Sequence, residues 1–454
     1  MTSLLSSLRD QIGSTSVSDA ATTGQLIDWM GRSGGSVCGV VYPESTAALA
    51  VVLQTAAQFG VPVQIQGGNT GLVGGSIPGA NTPSALLVSL TRLVGITELD
   101  EVGGRLTALA GTPLADVQRA AAAAGWCYGV DLAARESATI GGTVATNAGG
   151  IRVCAFGTTR DQLLGIEAVL AEGAVVSDLH GFAKDNTGYD LASLLCGSEG
   201  TLGVITAVRL RLWPTPPAAT LVAFPVSDLR SAAAIAARAT RPGCPLLAAE
   251  VIDIAGWRGG AQMFGGTDPL PHTGDGYVSL LEVGDGGEAA GLTPVVTDSP
   301  GLIIAVDESD RRQLWAVREQ QSEFWTAQSG VSFKFDVSVP TAALDELVQD
   351  VEQIASDSSG RLGVFGHIRE QNLHLQLELP TGVAEDPTDR VLQLVAGLGG
   401  SISAEHGVGR DKARYLALRR NPAEIAAMRA IKSALDPHSR LNPGVLLTED
   451  RTRE

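Results

Sequence analysis

The sequence predicts an α+β protein with more than one domain. Its 454 residues exceed what one ordinary hydrophobic core contains, so two or three domains are expected. Short β-branched strands alternate with periodic helices as far as Leu212, where Trp213-Pro-Thr-Pro-Pro217 interrupts regular structure. Short strands and helices of a different arrangement then follow over residues 218–400.

Composition and charge restrict the function classes. A hydrophobic content of 44% with 18% charged residues is typical of a folded globular protein. The net charge of −17 disfavours binding to nucleic acid or to an anionic membrane, and an anionic substrate would need a local cationic site. No signal peptide is recognised, and no apolar run approaches the ~20 residues that span a bilayer. The five cysteines form no C-x-x-C pair, which indicates reduced thiols in a cytoplasmic protein.

The elements predicted for the first domain lead into a glycine-rich loop. A short amphipathic helix opens the chain, and a second helix is predicted over 20–31. A helix over 46–59, capped by Ser45 or Thr46, and a strand over 61–66 continue a β-α-β unit. The later predicted elements are a helix over 113–124 and strands over 84–89, 95–98, 105–110, 163–170 and 204–212.

The loop that follows this strand, Gly67–Ser76, carries the first functional signal. Five of its ten residues are glycine and none is charged. Glycine lets a ligand approach the backbone closely, and successive peptide N–H groups can form an anion-binding nest. We therefore predict that the loop binds a cofactor diphosphate through peptide amides. A plain glycine-rich surface turn is the alternative.

Two further glycine clusters follow. In Thr139–Gly150, apolar residues lie among very small ones, a surface that can accept a flat ring system; a tightly packed helix start is the alternative. The third cluster, Gly197–Gly203, runs into the strand over 204–212. No G-x-G-x-x-G lies between a strand and a helix, and no Gly-Lys dipeptide is present. A Rossmann dinucleotide site and a P-loop are therefore both disfavoured.

The second domain is predicted as a mixture of short strands and helices. Residues 255–300 are expected to be loops around one strand, 277–283. A long helix over 411–435, cut at Asn421-Pro422, precedes a turn-rich tail. The other predicted elements are strands over 220–226, 246–254 and 331–339, and helices over 227–240, 310–329 and 341–356.

Three of the six histidines suggest a metal site. Leucines alternate strictly with His374 and its polar neighbours, which predicts a half-buried strand. If residues 368–373 form a hairpin loop, His367 and His374 lie directly opposite each other with Cβ atoms ~5 Å apart. Glu405 offers a third ligand, and a set of two histidines and one glutamate leaves coordination positions open for substrate and water. His406, the next residue, offers a base. The alternative is that both histidines are ordinary polar-face residues.

Together these motifs resemble the branch of the vanillyl-alcohol-oxidase (PCMH-type) flavoprotein superfamily that contains the FAD-binding D-2-hydroxyacid dehydrogenases and the glycolate-oxidase-like proteins. The resemblance covers nearly the whole chain. It implies a two-subdomain PCMH-type FAD-binding domain over 1–216 and an antiparallel-sheet α+β cap domain over 217–408. A C-terminal helical segment over 409–454 would return to the FAD domain. The motifs that carry the resemblance are Pro43-Glu44-Ser45, Gly67–Ser76, Thr139–Gly150, Gly197–Gly203, His367/His374, Ser403–Gly409 and Asp436–Gly444.

The resemblance implies FAD as the cofactor. Asn69 stands where some superfamily members have a flavin-attaching histidine, so noncovalent FAD is predicted. The residues that the resemblance assigns to FAD are Pro43, Gly67, Gly68, Asn69, Thr70, Gly71, Leu72, Gly75, Ser76, Asp131, Thr139, Gly141, Gly142, Thr146, Asn147, Gly149, Gly150, Gly200, Gly203, Val204, Ile205 and Asn442.

The activity implied is oxidation of a D-2-hydroxyacid of the lactate, glycolate or 2-hydroxyglutarate class to the 2-oxoacid, by hydride transfer to flavin N5. In such families Arg318 would bind the substrate carboxylate and His406 would be the base. Ser322, Lys334 and Asn372 complete the implied catalytic set. The implied metal is a divalent ion, Zn²⁺ by expectation, held by His367, His374 and Glu405.

One departure from the family keeps other functions open. Arg369-Glu370-Gln371 stands where relatives usually read Gly-Asp-Gly, which could change substrate, metal affinity or access. The alternatives are a metal-independent FAD oxidase of an alcohol or amine, and a flavin-binding electron-relay subunit of a complex. The electron acceptor could be a quinone, an electron-transfer flavoprotein, a cytochrome or oxygen. Peripheral membrane association through that acceptor and a homodimer are both compatible with the sequence; a nucleic-acid partner is not expected.

Overall fold

The computed structural model divides into two units, each with its own sheets and core. Unit 1 comprises Met1–Gly149, Gly157–Thr215 and Glu405–Glu454, and unit 2 comprises Gly150–Phe156 and Pro216–Ala404. The residues that the structure describes are 3–80, 82–240, 245–263, 265, 268, 270, 274–284, 301–382 and 386–448.

The elements are numbered in chain order. The strands are β1 Val17–Ser18, β2 Val37–Val41, β3 Val63–Gln66, β4 Ala85–Ser89, β5 Ile96–Asp100, β6 Arg105–Leu109, β7 Trp126–Cys127, β8 Leu163–Val169, β9 Val175–Asp178, β10 Val204–Arg211, β11 Trp213–Pro214, β12 Ala219–Val226, β13 Leu246–Asp253, β14 Tyr277–Gly284, β15 Ile303–Ala305, β16 Val331–Ser338, β17 Arg361–His367 and β18 Asn372–Leu379. The helices are α1 Leu4–Ile12, α2 Thr23–Leu26, α3 Thr46–Gln58, α4 Leu114–Ala123, α5 Ile140–Thr146, α6 Val153–Phe156, α7 Thr159–Gln162, α8 Leu191–Leu195, α9 Leu229–Ala239, α10 Ile254–Met263, α11 Glu308–Glu319, α12 Gln321–Thr326, α13 Leu344–Asp357, α14 Thr388–Gly397, α15 Leu416–Arg419 and α16 Pro422–Leu435.

Unit 1 contains two main sheets. The first has the order β1-β2-β4-β3, in which β4 pairs in parallel with both β2 and β3. The second has the order β5-β6-β10-β8-β9 and is antiparallel. Ser45 caps α3 by accepting a hydrogen bond from Ala48 N at 3.1 Å, as predicted. The predicted strand–loop order is therefore present, and β3 delivers the chain directly into the Gly67–Ser76 loop.

The predicted helix over 20–31 is wrong in length, because only α2 forms there. The Asp28 carboxylate accepts hydrogen bonds from the N–H groups of Met30 and Arg32, which fixes a tight turn. Gly31 has φ 76°, and an isolated bridge pairs Ile27 with Ser33. A side chain that bonds nearby backbone competes with the helical hydrogen-bond pattern, so the helix ends early.

Unit 2 is organised around a seven-stranded antiparallel sheet with the order β15-β12-β14-β13-β17-β18-β16. Buried side chains of β12, β13 and β14 form a core with α10, α11 and α12, including the fully buried Trp257. With mixed and antiparallel sheets packed by helices in the two units, the α+β prediction is confirmed. Among the described residues, no helix has the length and apolar character needed to cross a bilayer.

The region predicted as loops over 255–300 contains a helix, α10, so that part of the prediction is wrong. Three glycines in α10 suggested a loop, yet they serve close helix packing. A Cβ at Gly259 would lie 2.1 Å from the Phe324 ring, and one at Gly260 would lie 2.7 Å from Val317 O. Residues 285–300, also in the predicted loop, lie outside the described residues.

Candidate cofactor and substrate sites

The Gly67–Ser76 loop in unit 1 is distinguished by its backbone N–H groups. In the part of the chain that the structure describes, none of its peptide N–H groups donates a hydrogen bond to a protein acceptor. Most of the loop is nevertheless half-buried. Because half-buried N–H groups are normally bonded, this series of donors fits a ligand that carries many acceptor oxygens. The FAD diphosphate is such a group.

The first two glycine clusters pack against each other. A Cβ at Gly68 would lie 1.8 Å from the carbonyl oxygen of Ser137, and one at Gly67 would lie 2.5 Å from Thr139 Oγ1. Gly68 is therefore required by the close approach of two backbone segments, whereas Gly67 leaves room for the Thr139 hydroxyl group. Thr139 in turn caps α5 by accepting a hydrogen bond from Gly142 N at 3.3 Å.

Asn69 fixes the shape of the loop. It adopts a left-handed conformation with φ 55°. Its side-chain amide donates to the carbonyl oxygens of Gly24 at 2.9 Å and Ile27 at 2.8 Å, and its oxygen accepts from Ser76 Oγ at 2.7 Å. The Asn69 side chain therefore closes the loop across its ends, and it offers no nucleophile for attachment of a flavin.

The third cluster is tied to the C-terminal tail within unit 1. Asn442 accepts a hydrogen bond from Ile65 N at 2.7 Å and donates to Glu199 O at 2.8 Å. A Cβ at Gly200 would lie 2.6 Å from Asn442 Nδ2. The buried Glu199 carboxylate accepts from Val408 N and Gly409 N, and burial raises its pKa. Both ends of the Asn442 amide are thus bonded to backbone, which positions the chain around the cluster.

The remaining residues assigned to FAD are placed as follows. Pro43 is buried, and Asp131 accepts a hydrogen bond from Arg135 Nε at 2.7 Å. Val204 and Ile205 point into the unit 1 core at the start of β10, so only their backbone remains for a ligand. The other members lie in the two loops already described or in α5 and its C-terminal turn: Thr70, Gly71, Leu72, Gly75, Gly141, Thr146, Asn147, Gly149, Gly150 and Gly203.

In unit 2 the two histidines lie close together, but not in the predicted register. His367 pairs with Asn372, and His374 pairs with Phe365. The predicted opposition of His367 and His374 is therefore wrong, because the connection is shorter than 368–373: Ile368–Glu370 form a 3-10 turn and Gln371 turns the chain with φ 55°. The rings are diagonal neighbours on one face, with centroids 5.3 Å apart and planes at 83°.

The strand β18 is also buried on both faces, not half-buried as predicted. The face that carries His374 also carries Asn372 and Gln376, together with Lys334 and Asp336 of the paired strand β16. Asn372 Oδ1 and Gln376 Oε1 are buried and have no hydrogen-bond partner in the described structure. Orphaned buried oxygens are costly, so this face fits a polar ligand that would pair with them.

A carboxylate that the sequence reasoning missed, Glu250 on β13, joins two of the predicted site residues. Glu250 is fully buried. Its Oε2 accepts a hydrogen bond from Arg318 Nε at 2.6 Å, and its Oε1 lies 2.6 Å from His367 Nδ1. The Arg318 guanidinium also lies 4.8 Å from the centroid of the Phe365 ring. The signal available in the sequence was the position of Glu250 in the middle of the mostly apolar run Leu246–Ile254, which also contains Asp253.

Lys334 and Ser322 differ in placement. Lys334 lies opposite Gln376 and is half-buried, and burial lowers the pKa of its ammonium group. Among the described residues it makes no ion pair, and Asp336, two positions along the same strand, is not its partner. Ser322, by contrast, is exposed on α12, while its neighbour Gln321 is the buried residue of that turn.

The chain reaches Glu405 and His406 directly from this sheet. Asp336 is buried and accepts hydrogen bonds from Asn372 Nδ2 at 2.9 Å and from Ala404 N at 3.1 Å. Its Oδ1 lies 3.8 Å from His374 Nδ1. Ala404 is the last residue of unit 2, and Glu405 and His406 follow it as the first residues of the last unit 1 segment. Two imidazoles and nearby carboxylates are a donor set that suits Zn²⁺.

Glu370 is the titratable member of the unusual loop. Burial raises the pKa of its carboxyl to about 7, with the Glu250 charge acting in the same direction. His367 and Arg369 act in the opposite direction. The loop that departs from the relatives' Gly-Asp-Gly therefore places an acid that titrates near neutral pH beside the Glu250 and His367 pair.

Comparison with known proteins identifies the family of this chain. Residues 38–178 match the FAD binding domain family, and residues 215–446 match the family of FAD linked oxidases, C-terminal domain. The mitochondrial D-2-hydroxyglutarate dehydrogenase of Bos taurus is 35% identical, with 93% of this chain and 79% of that protein covered. D-2-hydroxyglutarate dehydrogenase of Xanthomonas citri pv. viticola is 33% identical, with 92% and 91% covered. The structure of 4-ethylphenol oxidase from Gulosibacter chungangensis matches with a TM-score of 0.74 at 19% identity, covering 98% of this chain and 96% of that one.

Proposed function

This chain belongs to the FAD-linked oxidase family and contains its FAD-binding domain, and on that premise we propose that it is an FAD-dependent dehydrogenase of D-2-hydroxyacids. The observation that carries the proposal is the buried sheet face of unit 2, where Arg318 and His367 contact the Glu250 carboxylate and His374 lies next to His367. In a chain with net charge −17, an acidic substrate requires local cations, which Arg318 and Lys334 would supply.

FAD binding is assigned to the backbone of Gly67–Ser76 and to the clusters that pack on it. The unbonded N–H groups of the loop would take the diphosphate, and the small residues of Thr139–Gly150 would lie against the ring system. When bound, FAD supplies the acceptor for the hydride that leaves the substrate carbon. Because Asn69 cannot attach the flavin, denaturation should release all of the FAD into solution.

Arg318 would bind the substrate carboxylate. Its Nε is bonded to Glu250, which leaves the two terminal nitrogens as the edge of the guanidinium that can grip a carboxylate bidentately. Asn372 Oδ1 and Gln376 Oε1 would accept hydrogen bonds from the substrate, and Lys334 would add a second cation on the same face. Ser322, being exposed, is the weakest member of the proposed set.

A divalent ion, Zn²⁺ first among the candidates, would be held by His367, His374 and Glu405. It would orient the hydroxyacid and lower the pKa of its hydroxyl group. His406, next to Glu405, would take the hydroxyl proton. A later step must reoxidise the flavin, and a quinone, an electron-transfer flavoprotein, a cytochrome and oxygen are the acceptor classes to be screened.

The test is anaerobic bleaching of the purified yellow protein by D- and L-2-hydroxyacids. We expect bleaching by at least one of D-lactate, D-2-hydroxyglutarate and the achiral glycolate. D-2-hydroxyglutarate is the first candidate, because both relatives named above are D-2-hydroxyglutarate dehydrogenases. Bleaching only by alcohols or amines, or none by any acid, would refute the proposal.

Metal removal sharpens the same test. Chelation, and separately His374→Ala, should slow flavin reduction at least ~10²-fold while the FAD content stays unchanged. Zinc analysis of both samples should show the loss. Unchanged reduction by the D-hydroxyacid after complete removal of metal would instead mean that flavin reduction does not need the metal.

A further inference from the structure

Glu250 occupies a position that no assigned role explains. It is fully buried in the central strand β13, where an ionised carboxylate needs close compensation. That compensation comes from two residues far away in sequence: Arg318, 68 residues on, and His367, 117 residues on. Each takes a different oxygen of the carboxylate at 2.6 Å. The Glu250 carboxylate therefore contacts both the arginine proposed to bind the substrate and a histidine proposed to bind the metal.

The contact with His367 has a direct chemical consequence. An ionised carboxylate only accepts hydrogen bonds, so the imidazole nitrogen that faces it must carry a proton. Nδ1 of His367 faces Glu250, so the neutral ring is protonated at Nδ1 and its lone pair is on Nε2. A neutral histidine can ligate a metal only through the unprotonated nitrogen.

The contact with Arg318 acts on orientation. A charge-assisted hydrogen bond from Nε to the carboxylate fixes the plane of the guanidinium, and the Phe365 ring at 4.8 Å supports that plane from one face. The two terminal nitrogens of Arg318 are then held in one orientation, and the side chain samples fewer rotamers. Less rotamer freedom is lost when such a preorganised group binds its ligand.

We infer that Glu250 is a positioning residue that sets the tautomer of His367 and the orientation of Arg318, and so links metal binding to carboxylate binding in one site. This inference rests on the proposed function for the identity of the two ligands. It does not require Glu250 to touch the substrate or the metal.

The experiment is zinc titration of the FAD-loaded, metal-stripped protein and of its Glu250→Gln variant. The glutamine amide would offer its oxygen to Arg318 and its NH₂ group to His367 Nδ1. His367 would then accept at Nδ1 and carry its proton on Nε2, the wrong tautomer for ligation. We expect zinc affinity to fall at least ~10-fold, within the range typical of residues that hold metal ligands in place.

Glu282→Gln is the matched control. Glu282 is also a buried carboxylate on the same face of the sheet, one strand away, but its partners are Arg152 at 3.1 Å and Trp315. We expect wild-type zinc affinity and FAD content from it. Equal zinc affinity in wild type, Glu250→Gln and Glu282→Gln would overturn the inference.

A second measurement does not depend on the Glu250→Gln variant. Nitrogen-15 NMR of the metal-stripped wild-type protein, with His367 assigned by its absence in His367→Ala, reports which ring nitrogen carries the proton. Protonation at Nδ1 supports the inference, and the Nε2–H tautomer overturns it. If the wild-type protein binds no zinc at all, the metal site of the proposed function is refuted. The protonated nitrogen of His367, measured by NMR, would still show whether Glu250 sets the tautomer.

Discussion

The two units of this protein present functional groups in opposite ways. In unit 1 the Gly67–Ser76 loop offers peptide N–H groups, and the side chains around it are mostly absent or small. In unit 2 the strands pair in one seven-stranded sheet, and the chemistry lies in side chains from four different strands and a helix. The site in unit 1 depends on positions that must lack a side chain, and the site in unit 2 depends on contacts between particular side chains.

This difference decides how each site responds to change. A backbone site tolerates substitutions that leave the path of the chain intact, but it fails when an added atom separates two packed segments. A side-chain site keeps its fold when a polar group is replaced, but it loses the geometry that several long-range contacts hold together. The three predictions below probe that contrast, beginning with the largest effect.

Gly68→Ala should have the largest effect. Its Cβ would lie 1.8 Å from the backbone oxygen of Ser137, which cannot move as a flexible side chain can. We expect a loss of stability of ~3 kcal/mol or more in the FAD-free protein and at least ten-fold lower FAD occupancy. Thermal unfolding and flavin absorbance per protein measure both quantities.

Gly71→Ala is the matched control in the same loop. Its Cβ would meet only Ser76 Oγ, at 3.7 Å, an ordinary contact. The FAD-free variant should unfold within ~0.5 kcal/mol of the wild-type protein. If Gly71→Ala destabilises the FAD-free protein as much as Gly68→Ala does, close packing of the two clusters is not what the loop depends on.

Arg318→Lys should have a smaller and more specific effect. Lysine keeps the charge but lacks the planar fork, so it cannot bond Glu250 through one nitrogen and grip a carboxylate through two others. We expect KM for the hydroxyacid to rise roughly 10- to 100-fold, equal to ~1.4–2.8 kcal/mol, with FAD content unchanged. Steady-state kinetics with a dye acceptor measures this.

The control for that variant is Arg361→Lys, at the outer end of the same sheet. Arg361 is mostly exposed and pairs with Glu378 at 3.1 Å. Lysine keeps the positive charge beside the buried Glu378, and the exposed end of the pair is solvated, so KM should change less than about two-fold. A comparable rise of KM in both variants would mean that the sheet, and not the Arg318 guanidinium, governs substrate binding.

The sequence predicted the elements well where pattern and local chemistry agreed. The capping serine and apolar period of α3, and the β-branched run of β3, needed no tertiary information. The prediction failed at α10, because glycines that allow Phe324 and Val317 to approach a helix suggest a loop when the partner helices are unknown. It also failed after α2, where the Asp28 side chain ends the helix.

The two sites also differ in how far the sequence alone could predict them. Clustered glycines locate the Gly67–Ser76 loop in the sequence alone, since backbone requirements are local. The pairing of His367 with Asn372 depends on Gln371 adopting a left-handed turn, which shortened the expected hairpin. Glu250 could not be connected to His367, because 117 residues and the strand order of the sheet separate them.

The last prediction concerns Glu370, whose effect is confined to neutral and higher pH. Its pKa is raised to about 7 by burial, so the folded protein keeps a proton that the unfolded chain releases near its ordinary pKa of ~4.3. Ionised Glu370 therefore destabilises the fold, and its favourable contribution, complete at acid pH, is lost as pH rises through about 7.

Glu370→Gln removes this titration. We expect the variant and wild type to have equal unfolding free energies near pH 4.5, and the variant to become more stable by roughly 1–3 kcal/mol above pH 7. Denaturant unfolding across this range, with chelator present so that no divalent ion contributes, measures the difference. Glu346→Gln, an exposed carboxylate of α13, should show no such trend. A flat difference between pH 4.5 and 8 for Glu370→Gln would mean that His367 and Arg369 already compensate the burial of this carboxylate. The side-chain site would then tolerate an added charge as readily as the backbone loop tolerates Gly71→Ala.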